Sequence, residues 1–175
     1  MNKITDNKSE GTAQFQRCFS ATLSYLSYRP RGEAELRQKL TQRGFPKDAQ
    51  NAVISKLTED GLVNDSIFAQ FYKDARDHLR PRSKWVTRQE LKQMGISSEI
   101  IEEVTSTIND DDNAYRAAME KAKLLVDVDY ETFSRKVGSH LQRRGFSSSV
   151  TKQALNKAWE DRNIPSDGTC QTCPH

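Results

Sequence analysis

Apolar residues recur along the chain at helical spacing. Ala49, Val53, Ile54 and Leu57 fall on one helix face, and Ile67, Phe68, Phe71, Tyr72 and Ala75 on another. Ile100, Ile101, Val104 and Ile108 make a third stripe, and Phe133, Val137 and Leu141 recur at four-residue steps. No β-branched run alternates with period two, and no Asn-Gly turn joins two such runs, so the pattern predicts an all-α protein. Residues 1–12 are polar and aperiodic and predict a flexible N-terminal arm. Residues 163–175, with two prolines and a glycine, predict a flexible C-terminal tail.

The helical stripes are copies of one unit. Gly44, Gly95 and Gly145 lie 51 and 50 residues apart. Four positions before them stand Leu40, Leu91 and Leu141, and directly after them Phe45, Ile96 and Phe146. Val53, Val104 and Ala154 follow nine positions on, and Leu57, Ile108 and Ala158 thirteen on. An internal period of about 50 residues gives room for three helices per copy. The glycine ends a helix where left-handed backbone angles penalise any residue with a Cβ. The following Phe or Ile packs back on the turn, and Pro46, Ser97 or Ser147 opens the next helix. Gly61 and the Asn64-Asp65 pair repeat this stop and start between the first two copies. The expected organisation is three tandem three-helix repeats, 13–62, 63–109 and 110–162, stacked into an elongated array.

Charge is segregated along this array. The 175 residues carry a net charge of only +3. Yet Arg76–Lys92 has a balance of +4, Glu99–Glu131 of −7, and Ser134–Ala158, with no acid at all, of +6. Alternating blocks of this size point to an electrostatic partner surface, nucleic acid or acidic protein. Solvated helix faces and the helix macrodipole are the competing explanation, most directly for Arg43, Arg143 and Arg144 just before the glycines. In the stretch RDHLRPRSKWVTR the basic residues gather at a turn between helices, stiffened by Pro81, with Trp85 available for stacking. Thr87 stands where the other copies have Leu36 and Val137, so the second helix of the middle copy is expected to answer to something besides the core. A small rotation bringing in Val86 or Trp85 is the alternative.

Catalytic signatures are missing. There is neither a P-loop nor a G-x-G-x-x-G fingerprint. His78 and His140 are single residues on basic helices and are expected at the surface. The Asp110–Asp112 run reads as a helix N-cap, and Glu102 and Glu103 point in different directions on a helix. Cys170, Cys173 and His175 supply three ligands where a closed structural zinc site wants four, so neither a metal nor a cofactor is expected. Three cysteines make no disulfide framework, and no apolar run reaches membrane-spanning length. The expectation is a soluble cytoplasmic protein without enzymatic activity.

Three stretches, RPRGEAELRQKLTQRGF (Arg29–Phe45), EDGLVNDSIFAQFYKDAR (Glu59–Arg76) and RQELKQMGI (Arg88–Ile96), resemble the RecX family, regulators of the bacterial recombinase RecA. The likeness covers about Phe19 to Trp159 and is most specific at Gly61-Leu62-Val63-Asn64-Asp65 followed by Phe68-Ala69 and Phe71. The third copy is recognisable mainly from Leu141 to Phe146. The chain departs from the family pattern at Ser83 and Thr87, where members often have Gly and an aliphatic residue. The resemblance implies a curved modular body that binds in the helical groove of the RecA filament on single-stranded DNA. Such binding inhibits recombinase, ATPase and coprotease activity, and so bears on homologous recombination, DNA repair and the SOS response. The partner is expected to be that filament, with direct DNA contact as an option, no membrane, and a monomeric regulator.

The candidate contact residues are Arg76, Arg80, Arg82, Lys84, Trp85, Arg88 and Lys92 from the middle copy and Arg135, Lys136, Arg143 and Arg144 from the third. The competing functional class is a stand-alone DNA-binding protein of helix-turn-helix type. Even spacing of the repeats and the lack of one dominant recognition helix count against it.

Overall fold

The computed structural model describes the backbone from Lys3 to Arg162 and the side chains from Gly11 onward. Cys170, Cys173 and His175 lie outside the described residues. Within them the fold is all-α, an array of nine helices. These are α1 (Lys3–Leu26), α2 (Glu33–Gln42), α3 (Lys47–Glu59), α4 (Asp65–Leu79), α5 (Lys84–Gln93), α6 (Ser98–Ser106), α7 (Asp110–Ala122), α8 (Tyr130–Arg143) and α9 (Ser148–Arg162). The polar segment expected to be an arm is helical from Lys3 on. It has no apolar stripe of its own, but it continues upstream from a turn already nucleated by the buried Cys18, Ala21 and Thr22.

Each group of three helices owns an apolar cluster. Leu36, Leu40, Val53, Ile54, Leu57 and Cys18 form the first, and Phe68, Leu91, Ile96, Ile101 and Val104 the second. The third packs Phe133, Val137, Leu141, Phe146 and Leu155 against four alanines of α7 and α9's Ala154 and Ala158. The alanines leave the space that the aromatic and aliphatic side chains of α8 and α9 fill. Repeat-equivalent Leu40, Leu91 and Leu141 are all fully enclosed. Two expected stripes end early. Ile108 falls beyond α6, which stops at Ser106, and Ile67 and Phe71 face outward while Phe68 and Ala69 enter the core.

Gly44, Gly95 and Gly145 have φ of 78°, 82° and 84°, as the repeat pattern requires. The amide after each one reaches back to the leucine carbonyl, Phe45 to Leu40, Ile96 to Leu91 and Phe146 to Leu141. Ser97 and Ser147 then accept from the backbone N–H groups of Ile100 and Val150 to open α6 and α9. At α7 the cap is Asn109, which accepts from Asp111 and Asp112; the aspartates expected as cap occupy the first turn instead, where they suit the positive end of the macrodipole.

By compactness the chain divides into two units. One takes the chain up to Arg76 together with Thr87–Thr107, the other Asp77–Val86 together with the chain from Ile108 onward. Inside each unit consecutive repeats are joined in the same way. In the first, Asp65, which opens α4, accepts from the Glu33 N–H at the start of α2 at 2.9 Å. In the second, Asp110, which opens α7, accepts from the Lys84 N–H at the start of α5 at 2.6 Å. One carboxylate therefore satisfies an otherwise orphan helix-start donor of the preceding repeat.

Candidate functional site

The eleven candidate residues divide between the two units, and their side chains fall into held and free groups. In the first unit the Arg76 guanidinium lies over the Tyr72 ring at 5.0 Å, donates to its hydroxyl, and pairs with Glu90 at 3.4 Å. Arg88 pairs with Glu102 and donates to the Thr105 hydroxyl at 2.9 Å. Both arginines are thus engaged inside the middle repeat. Lys92, in the last turn of α5, is exposed. An apolar groove of about 490 Å³ in the same unit is lined by Phe68, Phe71, Tyr72 and Met94, which accounts for the outward face of α4.

The second unit holds the other eight candidates. Its residues 77–86 run along the end of α8. The Ser83 N–H donates to the Arg144 carbonyl at 3.1 Å, and the Arg144 guanidinium donates to the Pro81 carbonyl at 2.9 Å. Ser83, where the family pattern often has glycine, is buried, and its hydroxyl accepts from the Val86 N–H to cap α5. Thr87, where the first unit resumes, is likewise buried at 2% exposure, so it is a core position and not a surface one, which corrects the sequence expectation. Trp85 instead points outward, 64% exposed.

Electrostatics show which charges are neighbours. Burial lowers the Arg144 pKa, and Arg82 and Arg80 push it the same way, with Glu120 opposing. Burial also lowers the His140 pKa, helped by Arg144, Lys121 and Arg143. Arg80, Arg82, Lys121, Arg143 and Arg144 therefore form one electropositive cluster around His140 at the C-terminal end of α8, with Glu120 beside it. That helix end carries the negative pole of the macrodipole, which makes the concentration of cations tolerable. Arg80 and Arg143 are exposed; Arg144 is part-buried and holds the turn. His140 corrects the expectation of a surface histidine, because its Nε2 is enclosed without a hydrogen-bond partner. Arg135 and Lys136, one turn and more upstream on α8, are exposed.

Lys121 and His140 were not among the candidates. Lys121 sits in a sequence block with a balance of −7, which hides it, although its place in the last turn of α7 was a usable signal. A cluster of this kind attracts polyanions. Among the described residues no group of three or more His, Cys, Asp and Glu is placed to hold a metal, and no helix is long and apolar enough to cross a membrane.

Comparison with known proteins bears on the family and the fold. Residues 18–57 match the RecX first three-helix domain, and residues 64–104 the RecX second three-helix domain. A Regulatory protein RecX of Chlorobium phaeobacteroides is 30% identical over 142 residues, covering 81% of this chain and 93% of the relative. The chain belongs to the RecX family. Another relative of that name, from Mycobacterium bovis, is 32% identical, with 76% of this chain and 80% of the relative covered. Two solved RecX structures share the fold. A crystal structure of regulatory protein RecX superposes with a TM-score of 0.73 at 23% identity, covering 89% of this chain and 80% of the other. RecX from Lactobacillus salivarius gives 0.69 at 22% identity, covering 85% and 99%. RecX is a family of regulatory proteins, and the chain is assigned that regulatory role. The matched domains end before the electropositive cluster of the second unit begins to take in α7 and α8.

Proposed function

We propose that this RecX-family chain binds the RecA filament on single-stranded DNA, within its helical groove, and mainly inhibits RecA recombinase, ATPase and coprotease activity. The observation that carries the reading is the cluster of Arg80, Arg82, Lys121, Arg143 and Arg144 around His140 at the C-terminal end of α8. Like charges held together are costly inside one protein and are offset when an anionic surface covers them. A helical filament repeats its surface, so a chain built of tandem units, 13–62, 63–109 and 110–162, can touch more than one protomer. Several modest contacts on one body then act at high effective concentration. In this reading the protein is a cytoplasmic, monomeric, non-enzymatic regulator, and Arg80, Arg82, Lys84, Trp85, Lys92, Arg135, Lys136 and Arg143 are its contact residues. Arg76, Arg88 and Arg144 support them from within the fold.

The test is the single-strand-stimulated ATPase of RecA, with this protein added at substoichiometric and then equimolar amounts. Loss of ATPase well below one copy per RecA supports action on filament growth or disassembly. Loss only near equimolarity supports coating of the groove. Full activity at both ratios overturns the reading and leaves a stand-alone DNA-binding protein in its place.

A further inference from the structure

A groove of about 410 Å³ runs between α8 and α9 in the second unit, on a different face of α8 from the electropositive cluster. Arg135, Gly138 and Gln142 line it from α8 at helical i, i+3, i+7 spacing, whereas Lys136, His140 and Arg143 occupy the neighbouring face. Lys152 and Asn156 line it from α9. No carboxylate lines this groove. Among the described residues neither Arg135 nor Lys152 takes part in an ion pair. The remaining lining side chains are chiefly hydroxyls and amides, which donate to neutral or anionic oxygens alike.

Three further features give the groove a chemical direction. Gly138 leaves the floor open: an added Cβ would meet just the Leu155 methyl, at 3.6 Å. Thr151 lines the same floor, 4% exposed, with its hydroxyl lacking any hydrogen-bond partner. Tyr130 stands at one end, 46% exposed, its ring held edge-on to Trp159 at 5.2 Å and its hydroxyl donating to Asn156 at 3.1 Å. From Tyr130 to Gln142 the helix rises about 18 Å, room for a short stretch of extended chain.

We infer that this groove binds a segment of single-stranded nucleic acid, with Arg135 and Lys152 on its phosphates and Tyr130 against a base. The inference deepens the reading above and rests on it only for the presence of single-stranded DNA near the bound protein. Cations on two facing helices suit a backbone that carries charge at every residue, and a pre-positioned aromatic ring suits a base of any sequence. An acidic protein segment is the less fitting occupant, because Leu155 is the one apolar side chain in the lining and an extended peptide needs apolar pockets for its alternate side chains.

The experiment uses the full chain, without RecA, and a labelled oligothymidylate of about 20 nucleotides in fluorescence anisotropy over a salt series. Arg135→Gln with Lys152→Gln is expected to weaken binding roughly tenfold per site and to flatten the slope of log affinity against log salt by about 1.4. Tyr130→Leu is expected to weaken binding roughly five- to hundredfold with an unchanged salt slope. All three side chains are exposed or half-exposed, so helical content and melting are expected to hold. As a measurement that needs no variant, the strand is expected to protect Lys152 from acetylation. Unchanged affinity in both variants, or Lys152 acetylated at the same rate with the strand present, overturns the proposal. So does polyglutamate of matched charge displacing the strand while Tyr130→Leu leaves both ligands unaffected, since the groove would then read charge alone. Because RecA is absent from the assay, strand binding that maps to the groove supports the inference even where RecA ATPase is untouched.

Discussion

The three repeat glycines carry an identical backbone demand but different surroundings, and alanine at each separates the two effects. At Gly44 an added Cβ meets nothing within 4 Å, so the cost is that of a left-handed φ of 78° alone, about 1 kcal/mol. At Gly95 the Cβ would stand 2.8 Å from the Ala34 Cβ, an atom fixed to the backbone of α2. At Gly145 it would stand 2.2 Å from Val86 Cγ2 and 2.8 Å from Ser83 Oγ, at the start of α5. Those two contacts add an overpacking term of about 1–3 kcal/mol, for totals of about 2–4 kcal/mol. The ranking follows from position: the second and third glycines abut the preceding repeat in sequence, and the first meets no other side chain. Urea denaturation of Gly44→Ala, Gly95→Ala and Gly145→Ala reads the differences as midpoint shifts at constant slope. Equal losses at all three positions would refute the idea that these glycines serve as inter-repeat joints as well as helix stops.

Asp65→Ala and Asp110→Ala each remove the acceptor for a helix-start N–H and are expected to lose about 1–2 kcal/mol, with Asn in either place keeping most of it; urea midpoints decide. His140 has a pKa below its ordinary value, so as pH falls through about 6.5 the unfolded chain takes up the proton first and stability declines. The midpoint difference between pH 7.5 and 5.5 is expected to shrink in His140→Gln. Arg88→Ala is expected to lower stability by about 1 kcal/mol through Glu102 and Thr105 while the folded variant still inhibits RecA. Arg80→Glu with Arg143→Glu is expected to do the reverse, sparing the urea midpoint and raising the concentration needed for half-inhibition of RecA ATPase at least tenfold.

What the sequence made legible is what local spacing controls. The period from Gly44 through Gly95 to Gly145 identified three helix stops, and Leu40, Leu91 and Leu141 were placed in the core by the same count. Ser97 and Ser147 were readable as caps because their partners lie three residues on. Features set by residues far apart were not readable. Nothing local marks Asp110 as the acceptor for Lys84, 26 residues earlier, or Arg144 as the donor to Pro81, 63 residues earlier. Thr87 misled for a related reason: a hydroxyl-bearing residue at an apolar position suggested a surface role, whereas threonine is small enough to remain in the core. The groove between α8 and α9 escaped because Tyr130 and Arg135 on α8 meet Lys152 of α9, and no spacing in the sequence links the two helices.

The alternation of charge along the chain takes a different meaning once partners are known. A block of +4 followed by one of −7 suggested a surface for an outside molecule, yet part of that opposition is satisfied within the protein. Arg88 from the first block meets Glu102 from the second, and Arg76 is balanced by Glu90 inside its own block. Exposed pairs of this kind contribute little to stability, but they remove those charges from any long-range field. The block from Ser134 to Ala158 has no acid with which to do the same. Of its six cations, Arg143 and Arg144 lie in the cluster at the end of α8 and Arg135 and Lys152 in the groove beside α9, so cations stand on two faces of one helix. A partner that covers only one of those faces leaves the other available for a second anionic segment. That is the arrangement a regulator needs if it touches recombinase and strand with a single helix.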